Sequence, residues 1–140
     1  MAVSLLVSLL AVPVGAASVT KFSDVSDSYT ATAIETLRLM GVLDGYGDGT
    51  FRPDTVLNRA QFCKMAVYAM DGSGELGRYS TVTIFPDVKP SHWASAYINM
   101  ASRKGIISGF ADGKFKPGQT VTAGQAVTIL MRGLGYKDED

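Results

Sequence analysis

The chain has 140 residues, 46% apolar and 19% charged, a composition that fits one globular domain and excludes a disordered polymer. Its 13 basic and 13 acidic residues cancel, so the balance gives no reason to expect nucleic acid or an anionic membrane as partner. A single cysteine rules out an internal disulfide and leaves stability to packing.

Every charged residue lies after position 20, and Met1 to Val14 form an apolar run followed by Gly15, Ala16 and Ala17. This predicts a secretory signal peptide over residues 1–17, too short to span a bilayer, with a mature chain starting near Ala17 or Ser18. No Lys or Arg precedes the run, so the signal is read as open at its N-terminus. Pro13 and Gly15 argue against a buried helix there.

The mature sequence is a unit written twice. Gly41-Val42-Leu43-Asp44-Gly45-Tyr46-Gly47-Asp48-Gly49-Thr50-Phe51-Arg52-Pro53 returns as Gly105-Ile106-Ile107-Ser108-Gly109-Phe110-Ala111-Asp112-Gly113-Lys114-Phe115-Lys116-Pro117, a displacement of 64 residues from Asp48 to Asp112. Phe22-Ser23-Asp24-Val25 answers Phe85-Pro86-Asp87-Val88, and Leu57 and Gln61 answer Val121 and Gln125. The first repeat is placed at 22–71, a flexible linker at 72–84, the second repeat at 85–136, and a polar tail at 137–140. Units this small share a core with their neighbours.

Each unit opens on Asp-Val and a polar turn, then a helix A with apolar residues at helical spacing. These are Tyr29, Ala33, Ile34, Leu37 and Met40 in the first copy, and Trp93, Tyr97, Ile98 and Ala101 in the second. Gly41 and Gly105 stand where a left-handed cap ends the helix. An Asp-Gly pair between aromatics predicts a small hairpin-like loop, closed by Arg52-Pro53 and Lys116-Pro117. Helix B follows, opened by capping boxes Asn58/Gln61 and Thr122/Gln125. Its apolar stripe runs through Phe62, Met65, Ala66 and Met70 in one copy and Ala126, Val127, Leu130 and Met131 in the other. Cys63 reads as a small buried hydrophobe, since the one histidine, His92, lies in the other repeat.

Asp44 and Asp48 do not make an EF-hand, because the third and twelfth positions from Asp44 are Tyr46 and Thr55. Asp24, Asp48, Asp87 and Asp112 occur at matching places in both copies. Such placement suits turns and caps rather than two carboxylates with different catalytic roles. The expectation is therefore no enzyme, no cofactor and no metal.

The order of motifs resembles the S-layer homology (SLH) family, carried by His92-Trp93-Ala94, Gly105-Ile106-Ile107-Ser108-Gly109, Asp112 to Pro117 and Gly49 to Asp54. The resemblance implies a mainly α fold of tandem helix-loop-helix repeats, three of which usually form a spindle around a helical bundle; two are present here. It also implies a secreted protein held on the bacterial cell wall or S-layer. The partner implied is secondary cell-wall polysaccharide attached to peptidoglycan, often pyruvylated, with no nucleic acid and no transmembrane segment in the mature chain. The glycan-binding residues it suggests are Arg59, Asn58, Gln61, Asp24, Tyr29, Asp87, Trp93, Lys116, Thr122 and Gln125. Arg59 is either a solvated first-turn residue or a cation set beside a helix N-terminus for an acidic sugar. Its counterpart is Ala123, and Tyr29 stands where the family pattern has tryptophan. A structural module making protein contacts is the other function that fits, and with two repeats the chain is expected to self-associate.

Overall fold

A computed structural model describes residues 21–70 and 73–137, so the expected signal peptide and the last three residues of the polar tail lie outside the described residues. Four α-helices follow one another: α1 (Ser28–Leu39), α2 (Arg59–Ala69), α3 (Ser95–Arg103) and α4 (Ala123–Gly133). A 3-10 helix, Ser73–Tyr79, lies between α2 and α3, and no strand forms among the described residues. The mainly α reading holds.

Local chemistry accounts for where these helices begin and end. Both predicted capping boxes are present: Asn58 and Thr122 each accept from the N–H of the glutamine three residues on, which returns a bond to the cap. Asp27 caps α1 by accepting from the Thr30 N–H at 2.6 Å. At the start of α3 the ring nitrogen Nδ1 of His92 accepts from the Ala94 N–H instead. Gly41 and Gly105 have φ of 73° and 72° and end α1 and α3, with Val42 and Ile106 donating back to Leu37 and Ala101 at 2.9 Å.

One main core joins α2, α3 and the second loop, with Cys63, Ala66, Val67, Phe85, Val88, Ile98, Ala101 and Phe115 all buried. A smaller cluster under α1 holds Phe22, Val25, Ala31, Ile34 and Leu43. Helix α2 packs against both α3 and α4, so the first repeat's helix B forms part of the second repeat's core. Gly133 is where α4 crosses α2, since a Cβ there would collide with the side chain of Met70.

Two expectations need correction. The segment read as a flexible linker is ordered over 73–84: its 3-10 helix packs on α3, and Leu76, Tyr79 and Ile84 lie against the core. Buried Asn99 donates from Nδ2 to the carbonyls of Tyr79 and Val82, and Glu75 pairs with Lys104 at 2.8 Å. The apolar stripes of α1 and α4 also differ from expectation. Tyr29 of α1, Met40 at its C-cap, and Val127, Leu130 and Met131 of α4 face solvent, and Ile129 is the residue α4 buries. Helical spacing identified an apolar face in each helix but not whether a neighbour covers it.

Candidate functional site

The site grows from the loop that each repeat builds around its aspartate. In the first copy Asp24 accepts from the N–H groups of Phe51 and Arg52 at 2.8 and 2.6 Å; in the second, Asp87 accepts from Phe115 and Lys116 at 2.9 and 2.7 Å. The flanking phenylalanines pack in tilted pairs, Phe22 on Phe51 and Phe85 on Phe115, at 5.5 and 5.4 Å between centroids. Gly45 and Gly109 admit the Phe22 and Phe85 rings, which a Cβ at either position would strike. A tight turn closes each loop: Tyr46 N–H donates to the Thr50 carbonyl, and Phe110 N–H to that of Lys114, both at 2.8 Å. The hairpin-like form is there, but pairing stops at once because the N–H groups of Arg52 and Lys116, which would form the next pair, go to Asp24 and Asp87 instead.

Arg52 and Lys116 are the two non-glycine residues with positive φ among those described, 61° and 58°. The expected pre-proline geometry is extended. Here the aspartate takes two successive N–H groups and holds the second of these residues left-handed, a conformation that costs about 1–3 kcal/mol. The result fixes where each basic side chain points. Arg52 lies over the Tyr46 ring at 4.0 Å and pairs with Asp48 at 2.6 Å; Lys116 lies over Phe110 at 4.4 Å and pairs with Asp112 at 3.0 Å. Hydrogen bonds from the Thr50 hydroxyl and from Arg52 and the Thr50 N–H bring the Asp48 carboxyl down to about 2.

Arg59 goes elsewhere. Rather than facing solvent or an anion at the helix start, it is 4% exposed, with Nε donating to the Phe115 carbonyl at 3.0 Å and Nη2 to that of Ser108 at 3.1 Å. Its guanidinium lies over the rings of Phe110 and Phe115, and burial lowers its pKa from the ordinary value. Backbone bonds from Arg59 N–H to Gln119 and from Val121 N–H to Leu57 close the same junction, an antiparallel bridge between Asn58 and Thr120. Arg59 therefore fastens the first repeat's helix B to the second repeat's loop.

Two grooves stay open among the described residues: a shallow one of ≈ 820 Å³ between the ends of α3 and α4, bordered by Lys104, Ser108, Arg132 and Tyr136, and the candidate site, a groove of ≈ 340 Å³ on the first repeat's loop. Leu43, Tyr46, Phe51, Leu57 and Met65 form its apolar wall, Trp93 from the second repeat stands at its side, and Asp44, Arg52, Gln61 and Lys64 bring polar groups. Trp93 is 56% exposed and stacked on His92, while Lys64 approaches Asp44 at 3.5 Å. Of the ten residues suggested by sequence, Gln61 and Trp93 line this groove, and Asp24 and Asn58 support it through the loop and the α2 cap. Asp87, Lys116, Thr122 and Gln125 serve the second loop and α4, and Tyr29 stands on α1, 84% exposed and outside the lining. Sequence reasoning missed Tyr46, Arg52 and Lys64. The signal for Arg52 was present, since a basic residue precedes the loop proline in both copies. Among the described residues no three His, Cys, Asp or Glu side chains gather where they could hold a metal ion, and no helix is long and apolar enough to cross a membrane.

Comparison with known proteins gives two matches to the S-layer homology domain, over residues 21–63 and 84–127, together more than half of the chain. A surface layer protein of Brevibacillus choshinensis is 34% identical over 140 residues, 96% of this chain and 12% of its own. A cell surface protein of Thermoanaerobacter kivui is 36% identical over 93% of this chain and 17% of its own. A cellulosome-anchoring protein of Acetivibrio thermocellus is 32% identical over 81% of this chain and 26% of its own. The chain thus spans about a quarter or less of the length of each of these relatives.

Proposed function

The chain belongs to the S-layer homology domain family, and from that premise we propose that it anchors an exported protein to the bacterial cell wall without a covalent bond, by holding an acidic cell-wall polysaccharide in the first-repeat groove. The observation that carries this reading is the pairing, in one groove, of two exposed aromatics, Tyr46 and Trp93, with two cations, Arg52 and Lys64. Aromatic faces take the apolar side of a sugar ring, and fixed cations take a carboxylate such as a pyruvyl ketal. Gln61 supplies a side-chain amide beside them. The relatives named for the surface layer and for anchoring a cellulosome support the envelope setting.

In this reading Arg59, Asp24 and Asn58 are positioning residues, and Trp93, Tyr46, Arg52, Lys64 and Gln61 meet the glycan. The second loop carries Asp87, Lys116, Thr122 and Gln125 in the matching places, but Arg59 already fills the face between Phe110 and Phe115. Glycan binding therefore resides mainly with the first repeat. The test is co-sedimentation with purified cell wall, before and after its attached polysaccharide is removed. Binding should require the polysaccharide, and Trp93→Ala and Lys64→Ala should each weaken it while leaving the fold intact. Loss of one charge-assisted bond of about 1.5–3 kcal/mol corresponds to tenfold or more in affinity. Unchanged binding by a folded Trp93→Ala/Lys64→Ala double variant would refute the groove.

A further inference from the structure

The chain sets a carboxylate of its own on each of the two cations in the first-repeat groove. Asp48 holds Arg52, and Asp44 holds Lys64. An acidic ligand must therefore compete at both cations, and the two contests are unequal.

The Arg52 contact is locked into the loop. Its Nη2 donates to Asp48 at 2.6 Å and its Nε to the Thr50 hydroxyl at 3.1 Å. That hydroxyl and the Thr50 N–H in turn donate to the same carboxylate, at 2.6 and 3.1 Å. The guanidinium also rests on the Tyr46 ring. The second repeat keeps the arrangement with Lys116, Asp112 and Phe110, which marks it as loop scaffold. Displacing Asp48 would undo hydrogen bonds that shape the turn.

The Lys64 contact is loose. Nζ approaches Asp44 at 3.5 Å, and the Asp44 side chain is 76% exposed. Lys64 comes from α2 and Asp44 from the loop, so the pair joins the helix side of the groove to its loop side. The second repeat has no such pair: Ser108 and Thr128 stand at these positions, and Arg59 fills the shell beside them. The pair thus belongs to the copy whose groove is open. An exposed ion pair at this distance contributes little and is screened by salt. A ligand carboxylate that reaches Nζ at the usual charge-assisted distance of about 2.7–2.9 Å makes the stronger bond.

We propose, on the reading that this groove holds the glycan, that Asp44 is a latch: it occupies Lys64 until a ligand carboxylate takes its place on Nζ, while Arg52 stays with Asp48. Asp44 thereby sets how tightly the groove holds an acidic ring.

The test is co-sedimentation of Asp44→Asn, Lys64→Ala and the Asp44→Asn/Lys64→Ala double variant with purified cell wall that keeps its polysaccharide. Asparagine preserves the size of an exposed side chain, and urea midpoints matching the parent's check each fold. Asp44→Asn should bind about two- to fivefold more tightly, the range of an exposed ion pair. Lys64→Ala should bind less tightly, and the double variant no better than Lys64→Ala, because without Lys64 there is no cation to release. A gain that persists without Lys64 would be a general effect of removing negative charge and would overturn the latch. Unchanged binding by Asp44→Asn would overturn it too, as would weaker binding, which would show Asp44 accepting hydrogen bonds from the sugar. The groove is read separately. Parent-level binding by the folded Trp93→Ala/Lys64→Ala variant removes the site and the latch together, whereas lost binding there with no gain from Asp44→Asn leaves the site and removes the latch.

Discussion

Replacing Arg59 by alanine tests whether the two repeats are one cooperative body. The guanidinium is almost wholly buried and donates to two main-chain carbonyls, of Phe115 and Ser108, that belong to the other repeat. A hydrogen bond to a charged group contributes about 1.5–3 kcal/mol, and removing the donor leaves those carbonyls without their charged partner. Contact with the Phe110 and Phe115 rings adds about 0.5–2 kcal/mol. Against this stands the cost of burying the cation, visible in its lowered pKa. Taking the lower value for each bond, Arg59→Ala should cost about 3 kcal/mol in urea denaturation followed by circular dichroism. Arg59→Lys should recover only part of that, because an ammonium cannot reach both carbonyls in the plane of a guanidinium while stacked on two rings. A loss for Arg59→Ala below about 1 kcal/mol, the range of an exposed surface change, would refute the junction role.

Acid should loosen the loops. The N–H groups of Phe51 and Arg52 lower the pKa of Asp24, and those of Phe115 and Lys116 lower Asp87 against the upward push of its own burial. A depressed folded-state pKa gives stability that is present above the unfolded value of about 3.9 and is lost as pH falls through the folded value, so urea midpoints should hold from pH 7 to about 5 and fall below about 4. Midpoints that are flat from pH 5 to 2 would contradict this. Cys63 is buried and its thiol pushed up to about 12, so a thiol reagent at pH 8 should label it only on unfolding. Labelling of the folded chain at the rate of a free thiol would place it at the surface. Phe115→Ala should cost about 3–5 kcal/mol and Thr122→Ala about 1, a ranking that equal denaturation losses would overturn.

The sequence carried most of the scaffold because its signals are local. Both capping boxes and both left-handed glycine caps rest on residues three to five positions apart, and each is in place. Asp27 as the α1 cap went unread because no glutamate or glutamine follows at the third position to signal a box. The candidate groove was only half legible. Trp93 and Gln61, singled out by motif, line it; Arg52 was marked only by the basic residue that precedes the loop proline in both copies, and Lys64 joins them through contacts between distant segments that no local pattern encodes. Arg59 misled for the same reason. Its position in the first turn of a helix suits an anion, whereas its actual partners are 49 and 56 residues away.

That placement also explains why two loops so alike in sequence differ in what fills them. In the second repeat Ser108, Phe110 and Phe115 form a shell of carbonyls and aromatic faces, and Arg59 from the preceding helix B fills it. The corresponding residues of the first repeat, Asp44, Tyr46 and Phe51, line the groove instead. A bare shell of carbonyls and ring faces would favour a cation. Arg52 changes that, because Asp24 holds its backbone left-handed and so places the guanidinium on Tyr46 at the groove's edge, with Lys64 nearby. Under the proposed function this is the space an anion with an apolar face would take, competing with Asp48 for Arg52 and with Asp44 for Lys64. Sequence repetition thus sets the scaffold of each loop, while the neighbouring helix decides whether that scaffold becomes a structural junction or an open site.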